Sequence, residues 1–470
     1  MTRDEIELDI TGVAHGGVFV GRHHDDTDDT NGTDDADRGG RVVFVPDTLP
    51  GERVRVRLTD TAKASFWRGE ALEVLAPSPH RQRHVWAAAD IDVTPENRPG
   101  GAEFGHIALD HQRELKSQII RETLTRIGRV DLPVTVRPAG AITDAHGVTL
   151  AEESADGTGW RTRVSLHVDA DGRMGPYAAR SRRIVEVDEL PLATDEVARV
   201  ALAHRESRHG DSPAGRVDFV HPGDGRVRVI SRPETGDPQR RRRRGARSSG
   251  ARRGGAAGLA SDPAASEVVI QEVAGRPFRV DAGGFWQVHR LAAHTLSTAL
   301  VEALAPAGVD PDAWHLDLYG GVGLFAAAVA GIGGPGTRIT TVESDPRATE
   351  HAGENLAEWV GARAETGRVD RWLAQLSASV TAAQRARLER GVVVLDPPRA
   401  GAGREVVEQL AALRPARIAY VACDPAALAR DLGTFRERGY EAAAVHGFDL
   451  FPNSHHVEAL VVLTPEGVGQ

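Results

Sequence analysis

Residues 417–432 read RIAYVACDPAALARDL, and this stretch sets the fold because strand, turn and helix signals follow one another directly. An apolar run ends at Cys423. Asp424 is suited to cap the helix that follows, and Pro425 fits its first turn. The same pattern recurs around it. Candidate strands are WHLDLYG (314–320), RITTVES (338–344), ARAETG (362–367), GVVVLDP (391–397), ARIAYVAC (416–423), EAAAVHGF (441–448) and HVEALVVLT (456–464). Helical stretches such as LFAAAVAGIG, PRATEHAGENLAEWV and PAALARDLGTFRERG separate most of them. Such alternation predicts an open, doubly wound α/β sheet over residues 281–470. The last two strands are linked by FDLFPNSH, too short for a crossover helix, so the final strand should run antiparallel.

Upstream the pattern changes. IELDITGVAHGGVFVGR and GRVVFVPDTLPGERVRVRL alternate apolar and polar residues between PG and GG turns. They predict a small β-barrel over residues 1–78, with an acidic insert, 22–40, at a hairpin tip. Barrels of this size often bind oligonucleotides, although a purely structural barrel would read the same. Residues 79–280 read as a mixed α+β central domain. In it, Ile107, Leu115, Ile119, Ile120, Leu124 and Ile127 mark an amphipathic helix covering a sheet. Strands joined by a DADG turn follow. Residues 231–266 lack periodicity and read as a flexible arginine-rich insertion.

Composition narrows the function. The chain has 470 residues, enough for two or three domains, and Cys423 is its single cysteine. A disulfide framework and an all-cysteine zinc or iron–sulfur site are therefore excluded. The net charge of −10 owes much to seven aspartates between Asp25 and Asp37, while eight arginines fall between Arg240 and Arg253. Like-charge blocks of this kind are usually solvated, so the net figure says little about a binding face. The opening MTRDEIELDI carries no secretory pattern, and no apolar run reaches the ~18 residues of a membrane span. A cytoplasmic protein with no membrane partner is expected.

Four segments carry chemistry. In DLYGGVGLF (317–325), Gly320, Gly321 and Gly323 allow a tight turn and close backbone approach to a nucleotide-like ligand. Glu343 ends the next strand, where a carboxylate can accept ribose hydroxyls; dinucleotide and S-adenosylmethionine sites share that feature. VVVLDPPRAG places Asp396 at the carboxyl edge of its strand, before a stiff proline turn. Cys423 lies just off a helix N-terminus, whose dipole favours thiolate, and reads as a nucleophile rather than as buried packing. Glu458 opens the antiparallel strand and so shares an edge with Cys423, Asp396 and the glycine loop. A glutamate there is costly unless used, which suits a base. His455 and His456 read as exposed.

Together these segments resemble the RNA uracil-C5 methyltransferases, the family of the bacterial 23S rRNA and tRNA 5-methyluridine enzymes. The barrel segments look like the TRAM domain at the front of the rRNA members. FWQVH (285–289) resembles the family's F-x-Q-x-N, with Gln287 as the cofactor-contacting glutamine. DLYGGVG resembles D-L-F/Y-x-G-x-G, which implies cofactor roles for Asp317, Tyr319, Gly321 and Gly323 beside Glu343 and Asp396. VACDPAALARD resembles the nucleophile segment S-C-N-P-x-T-L-A-R-D, and DLFPNSHHVE resembles D-x-F-P-x-T-x-H-V-E, whose glutamate is the base. His289, Ala422 and Asp424 depart from the usual asparagine, serine and asparagine. The regions where many rRNA members carry four cluster cysteines hold none here, so no iron–sulfur cluster is expected.

The resemblance implies a class I methyltransferase fold, S-adenosylmethionine as cofactor, and a monomeric enzyme acting on RNA. Cys423 would add to uracil C6 and Glu458 would remove the C5 proton. The barrel favours 23S rRNA over tRNA. Alternatives are a tRNA uridine methyltransferase, an amino-methyltransferase using D-P-P without covalent catalysis, an NAD oxidoreductase, and a non-catalytic RNA-binding or ribosome-assembly protein.

Overall fold

Alternating residues of five short strands turn inward to close a barrel. The computed structural model describes residues 4–23, 40–63, 65–207, 214–233 and 262–467. The barrel comprises β1 (Glu5–Ala14), β2 (Val18–His23), β3 (Arg41–Val45), β4 (Arg53–Asp60) and β5 (Phe66–Ala76), in the order β1-β2-β3-β5-β4. Leu8, Ile10, Phe19, Val43, Val45, Val54 and Val56 fill it, as period-two patterning requires. Phe104 and Ile107 plug one end. Arg98, 3% exposed, ties the barrel to the next segment through Asp47 (2.7 Å) and the carbonyls of Ala71 and Ile91. Of the acidic insert, Arg22 and His23 end β2, and residues 24–39 lie outside the described residues.

The central region is not a unit apart. The helix Leu109–Thr123 sends Leu115 and Ile119 into the barrel core and Ile120 into the core of the C-terminal sheet. Its apolar periodicity overreaches at both ends. Ile107 precedes the helix, and Ile127 is 49% exposed because the chain widens into a π-turn over Leu124–Gly128. The strand β6 (Val134–Pro138) then crosses to the C-terminal sheet. The hairpin of β7 (Ile142–Thr143) and β8 (Thr149–Ala151) follows. A four-stranded sheet combines β9 (Arg163–Val168), β10 (Met174–Gly175), β11 (Gly215–Val220) and β12 (Arg228–Pro233), in the order β10-β9-β11-β12. The predicted insertion is ordered at its edges: residues 231–233 complete β12, and Pro263–Ser266 form a 3-10 turn. Its eight arginines from Arg240 to Arg253 lie outside the described residues. A hairpin of β13 (Val268–Val273) and β14 (Arg276–Asp281) leads onward.

The βα alternation supplies β15 (His315–Leu318), β16 (Ile339–Glu343), β17 (Ala362–Thr366), β18 (Val392–Leu395), β19 (Arg417–Ala422), β20 (Tyr440–Ala442), β21 (Val445–Asp449) and β22 (Glu458–Pro465). Among the described residues they order as β17-β16-β15-β18-β19-β22-β21-β6, with β20 beside β22. β22 runs antiparallel to β19 and β21, and β6 runs parallel to β21. Two apolar cores sandwich this sheet, one under the helices Arg404–Leu413 and Pro425–Glu437, the other under Ala292–Leu304 and Leu324–Gly333. Strand order reverses between β15 and β18, which is where doubly wound sheets open a binding crevice. No helix among the described residues is long and apolar enough to cross a membrane.

Candidate active site

The crevice begins where β15 ends. Asp317 is wholly buried; its Oδ2 accepts from the Ala326 N–H (3.2 Å) and the Thr341 hydroxyl (3.1 Å), while Oδ1 has no partner. Burial pushes its pKa up to about 7. Tyr319 takes a left-handed φ of 64°, uncommon for a side chain of that size, and launches the turn. A Cβ on Gly320 would lie 1.9 Å from the Thr341 hydroxyl, so only glycine permits this approach. Gly321 and Gly323 have φ of 54° and 88°, and the Cβ position of Gly321 faces open space. Glu343, at the end of β16, accepts from the N–H groups of Gly321 (3.2 Å) and Asp345 (2.8 Å), which fixes its carboxylate beside the turn.

Across the switch point stands Asp396. Burial, then Asp317, raises its pKa to about 7. Gln287 is half-buried between β14 and the helix Ala292–Leu304; its neighbour Val288 is pinned by the Thr162 N–H at 2.8 Å. His289, one of the departures from the family pattern, is buried against Trp160 and held neutral, with burial taking its pKa down to about 3.

Register joins the remaining pair. Ala422 of β19 faces Ala459 of β22, so Cys423 and Glu458 emerge side by side at the same edge. Asp424 caps the helix Pro425–Glu437 through the Ala427 N–H at 2.8 Å. The dipole argument for a thiolate is corrected here. Burial, then the Glu458 and Asp396 carboxyls, push the Cys423 thiol up to about 12. Glu458, 6% exposed, is likewise raised well above the carboxylate range by burial and Asp396. Only Arg399 pulls the other way on both groups.

Sequence reasoning missed several supports. Arg399 follows the two prolines and reaches His456 Nε2 at 3.3 Å. Its place in the quoted D-P-P-R segment was the one available signal. Asp431 braces the loop behind it, accepting from Ala402 N–H (2.8 Å) and the Tyr420 hydroxyl (2.7 Å). His15, on the β1–β2 hairpin, reaches Asp424 at 3.4 Å, so the barrel touches the residue after the nucleophile. The expectation of exposed histidines fails: His456 is part-buried, with burial and His455 taking its pKa down to about 3, and His455 faces Glu103 at 3.4 Å. Beneath that loop, Lys116 and Asp449, both fully buried, pair with each other, and Lys116 Nζ also donates to the Phe451 carbonyl at 3.1 Å.

Residues 382–466 match the tRNA (uracil-5-)-methyltransferase family and residues 1–72 the TRAM domain. The chain is 36% identical over 468 residues to an RNA methyltransferase of Streptomyces avermitilis, covering 99% of each protein. It is 33% identical over 440 residues to one of Bifidobacterium longum, covering 90% of this chain and 92% of that protein. Among solved structures it is similar in fold to the tRNA (uracil-54, C5)-methyltransferase of Pyrococcus abyssi in complex with S-adenosyl-L-homocysteine. The TM-score there is 0.61 at 20% identity, covering 98% of this chain and 100% of that one.

Proposed function

We propose that this chain, which belongs to the RNA methyltransferases, is of the uracil-5 type and methylates C5 of a uridine in 23S rRNA, with Cys423 as nucleophile and Glu458 as base. The observation that carries this reading is the Ala422–Ala459 register, which sets thiol and carboxyl together at the switch-point edge. Residues fitted to S-adenosylmethionine surround them. Gly321 leaves room before the turn, Glu343 offers a fixed carboxylate for ribose hydroxyls, and Asp317 keeps an unpartnered buried oxygen. Asp396 interacts with Asp317 across the crevice, an acidity suited to a cationic ligand, and Gln287 and Gly323 are assigned to the cofactor on the motif resemblance alone. Bound there, the cofactor supplies an electrophilic methyl group.

Uracil C5 is a poor nucleophile until a group adds to C6. The Cys423 thiol gives its proton to water, Sγ forms the bond to C6, and the C5–C6 electron pair moves toward the C4 oxygen. Once C5 carries its methyl group, Glu458 takes the C5 proton, the Sγ–C6 bond breaks and Cys423 is regenerated. Burial and Asp396 raise the Glu458 pKa above the ordinary carboxylate range, which makes its ionised form a stronger base toward the C5 proton. The uridine has to leave its stack to reach the crevice, which favours loops and single strands.

The experiment is a pair of variants assayed on 23S rRNA and on tRNA from a strain lacking this protein. Cys423→Ala should abolish methylation. Glu458→Gln should methylate once and then accumulate a protein–RNA adduct on denaturing gels. Multiple turnover by Cys423→Ala would sink the nucleophile assignment. A second reading, tRNA as substrate, draws on the Pyrococcus abyssi enzyme, whose likeness extends over 98% of this chain. Appearance of 5-methyluridine in tRNA alone would select it.

A further inference from the structure

A cavity of about 470 Å³ opens between the tip of the β1–β2 hairpin and the four-stranded sheet, and it shares none of its walls with the glycine turn or Asp396. Its size is that of a small-ligand site. His167 and Tyr177 line it as a stacked pair, ring centroids 3.6 Å apart and planes 14° from parallel. Burial and then Arg216 disfavour protonation of His167. Arg161 and Arg180 add positive charge to the same wall. Arg161 donates its Nε to the Arg163 carbonyl at 2.9 Å, and among the described residues its terminal nitrogens have no hydrogen bond. Glu103 supplies the complementary acceptor. Burial opposes its charge, but the His455 ring and the Gly101 N–H outweigh that and hold it down at about 2.

An aromatic platform, a guanidinium with free donors and a fixed carboxylate are what an unstacked RNA base and its phosphate require. The cavity also adjoins the reaction site. His455 borders it, His456 touches Arg399, and Glu458 follows two residues later. Arg161 faces Arg399 electrostatically from the cavity side. The geometry points to a second nucleotide site: this cavity takes an unstacked base bearing an exocyclic amine, beside the uridine whose C5 is methylated. The base stacks on the outer face of the Tyr177–His167 pair, donates its amine to Glu103, and leaves its phosphate to Arg161 and Arg180. This rests on the uracil-5 RNA methyltransferase reading.

The test uses the full chain and two fluorescein-labelled single strands, an octamer of uridine and one alternating uridine with adenosine. Wild type should bind the alternating strand more tightly. Tyr177→Ala should weaken the alternating strand by roughly 5- to 100-fold, as expected for loss of one base–aromatic stack, and weaken the uridine octamer less. Tyr177→Phe should retain the wild-type preference. Arg180→Ala should weaken both strands and lower the salt slope by about one. With 8-azidoadenosine in the alternating strand, photo-crosslinks should map to the peptide holding Tyr177. A folded Tyr177→Ala that binds both strands like wild type, or crosslinks mapping only elsewhere, would overturn the second site. If those results come with intact methylation of RNA, the proposed function stands without it. If wild type neither binds nor methylates RNA, both fall.

Discussion

Replacing Asp396 with asparagine should make Cys423 more reactive, and the pH at which it does so follows from the site. Cys423 is the only thiol in 470 residues, so a thiol reagent reports on it alone. Its pKa stands at about 12 against an ordinary 9.0. At pH 8 that leaves about a thousandfold less thiolate than a free thiol would show. A more basic thiolate is also a better nucleophile, with a Brønsted slope near 0.4–0.5, so the net deficit in disulfide exchange is roughly 40-fold. Exchange with 4,4′-dithiodipyridine, followed by thione absorbance, should therefore be slow and should rise tenfold per pH unit through pH 10 without levelling. Steric shielding alone would slow the rate everywhere yet leave a plateau near 9. In Asp396→Asn a negative charge facing the thiol is gone, so the thiol pKa falls and exchange quickens at pH 9. Asp396 titrates at about 7, so below pH 6 variant and wild type should agree. A wild-type plateau below pH 10, or no acceleration in the variant at pH 9, would refute the electrostatic account.

Two further perturbations test the scaffold. Asp317 has a folded pKa raised from 3.8 to about 7, so its neutral form favours folding below 3.8 and that contribution is lost as pH rises to 7. The loss is on the order of 4 kcal/mol, and Asp317→Asn should flatten the fall in melting temperature between pH 4 and 7; an unchanged slope would contradict it. Lys116→Ala leaves the buried Asp449 carboxylate with only Arg113 Nε, at 3.4 Å, and should cost about 3 kcal/mol in urea unfolding, whereas Lys116→Met with Asp449→Leu should recover much of it. A single-variant loss below 1 kcal/mol would show that water enters the pair.

What was legible in the sequence was local. Strand β19, its cysteine and its Asp424 cap follow from sixteen consecutive residues, and the antiparallel β22 follows from the shortness of the FDLFPNSH link. Pairing across the chain was not legible. β6 docks beside β21 with Val134 facing Val445, a parallel contact with no local signal, and it draws part of the central region into the C-terminal sheet. Glu103 and His15 reach the site from segments with no motif, because only tertiary packing brings them there. The thiol's state was misread for a physical reason. The helix N-terminus spends an N–H on the Asp424 carboxylate, while burial and two neighbouring acids act on Cys423 itself.

That misreading points to the logic of the site. Asp317, Asp396, Glu458 and Cys423 all have raised pKa values, with burial the leading cause in each, so placing charge on any of them is costly. Opposite charge within a few ångströms is the strongest remedy for a raised acid pKa. Arg399 already acts this way on both Cys423 and Glu458, and Arg161 stands just behind it. An acidic floor under a rim of arginines also sorts ligands by charge. On the proposed reading, a rim of Arg399, Arg161 and Arg180 would draw phosphates, while any acid of the floor that ionises would repel them. Under that reading a uridine would enter base first.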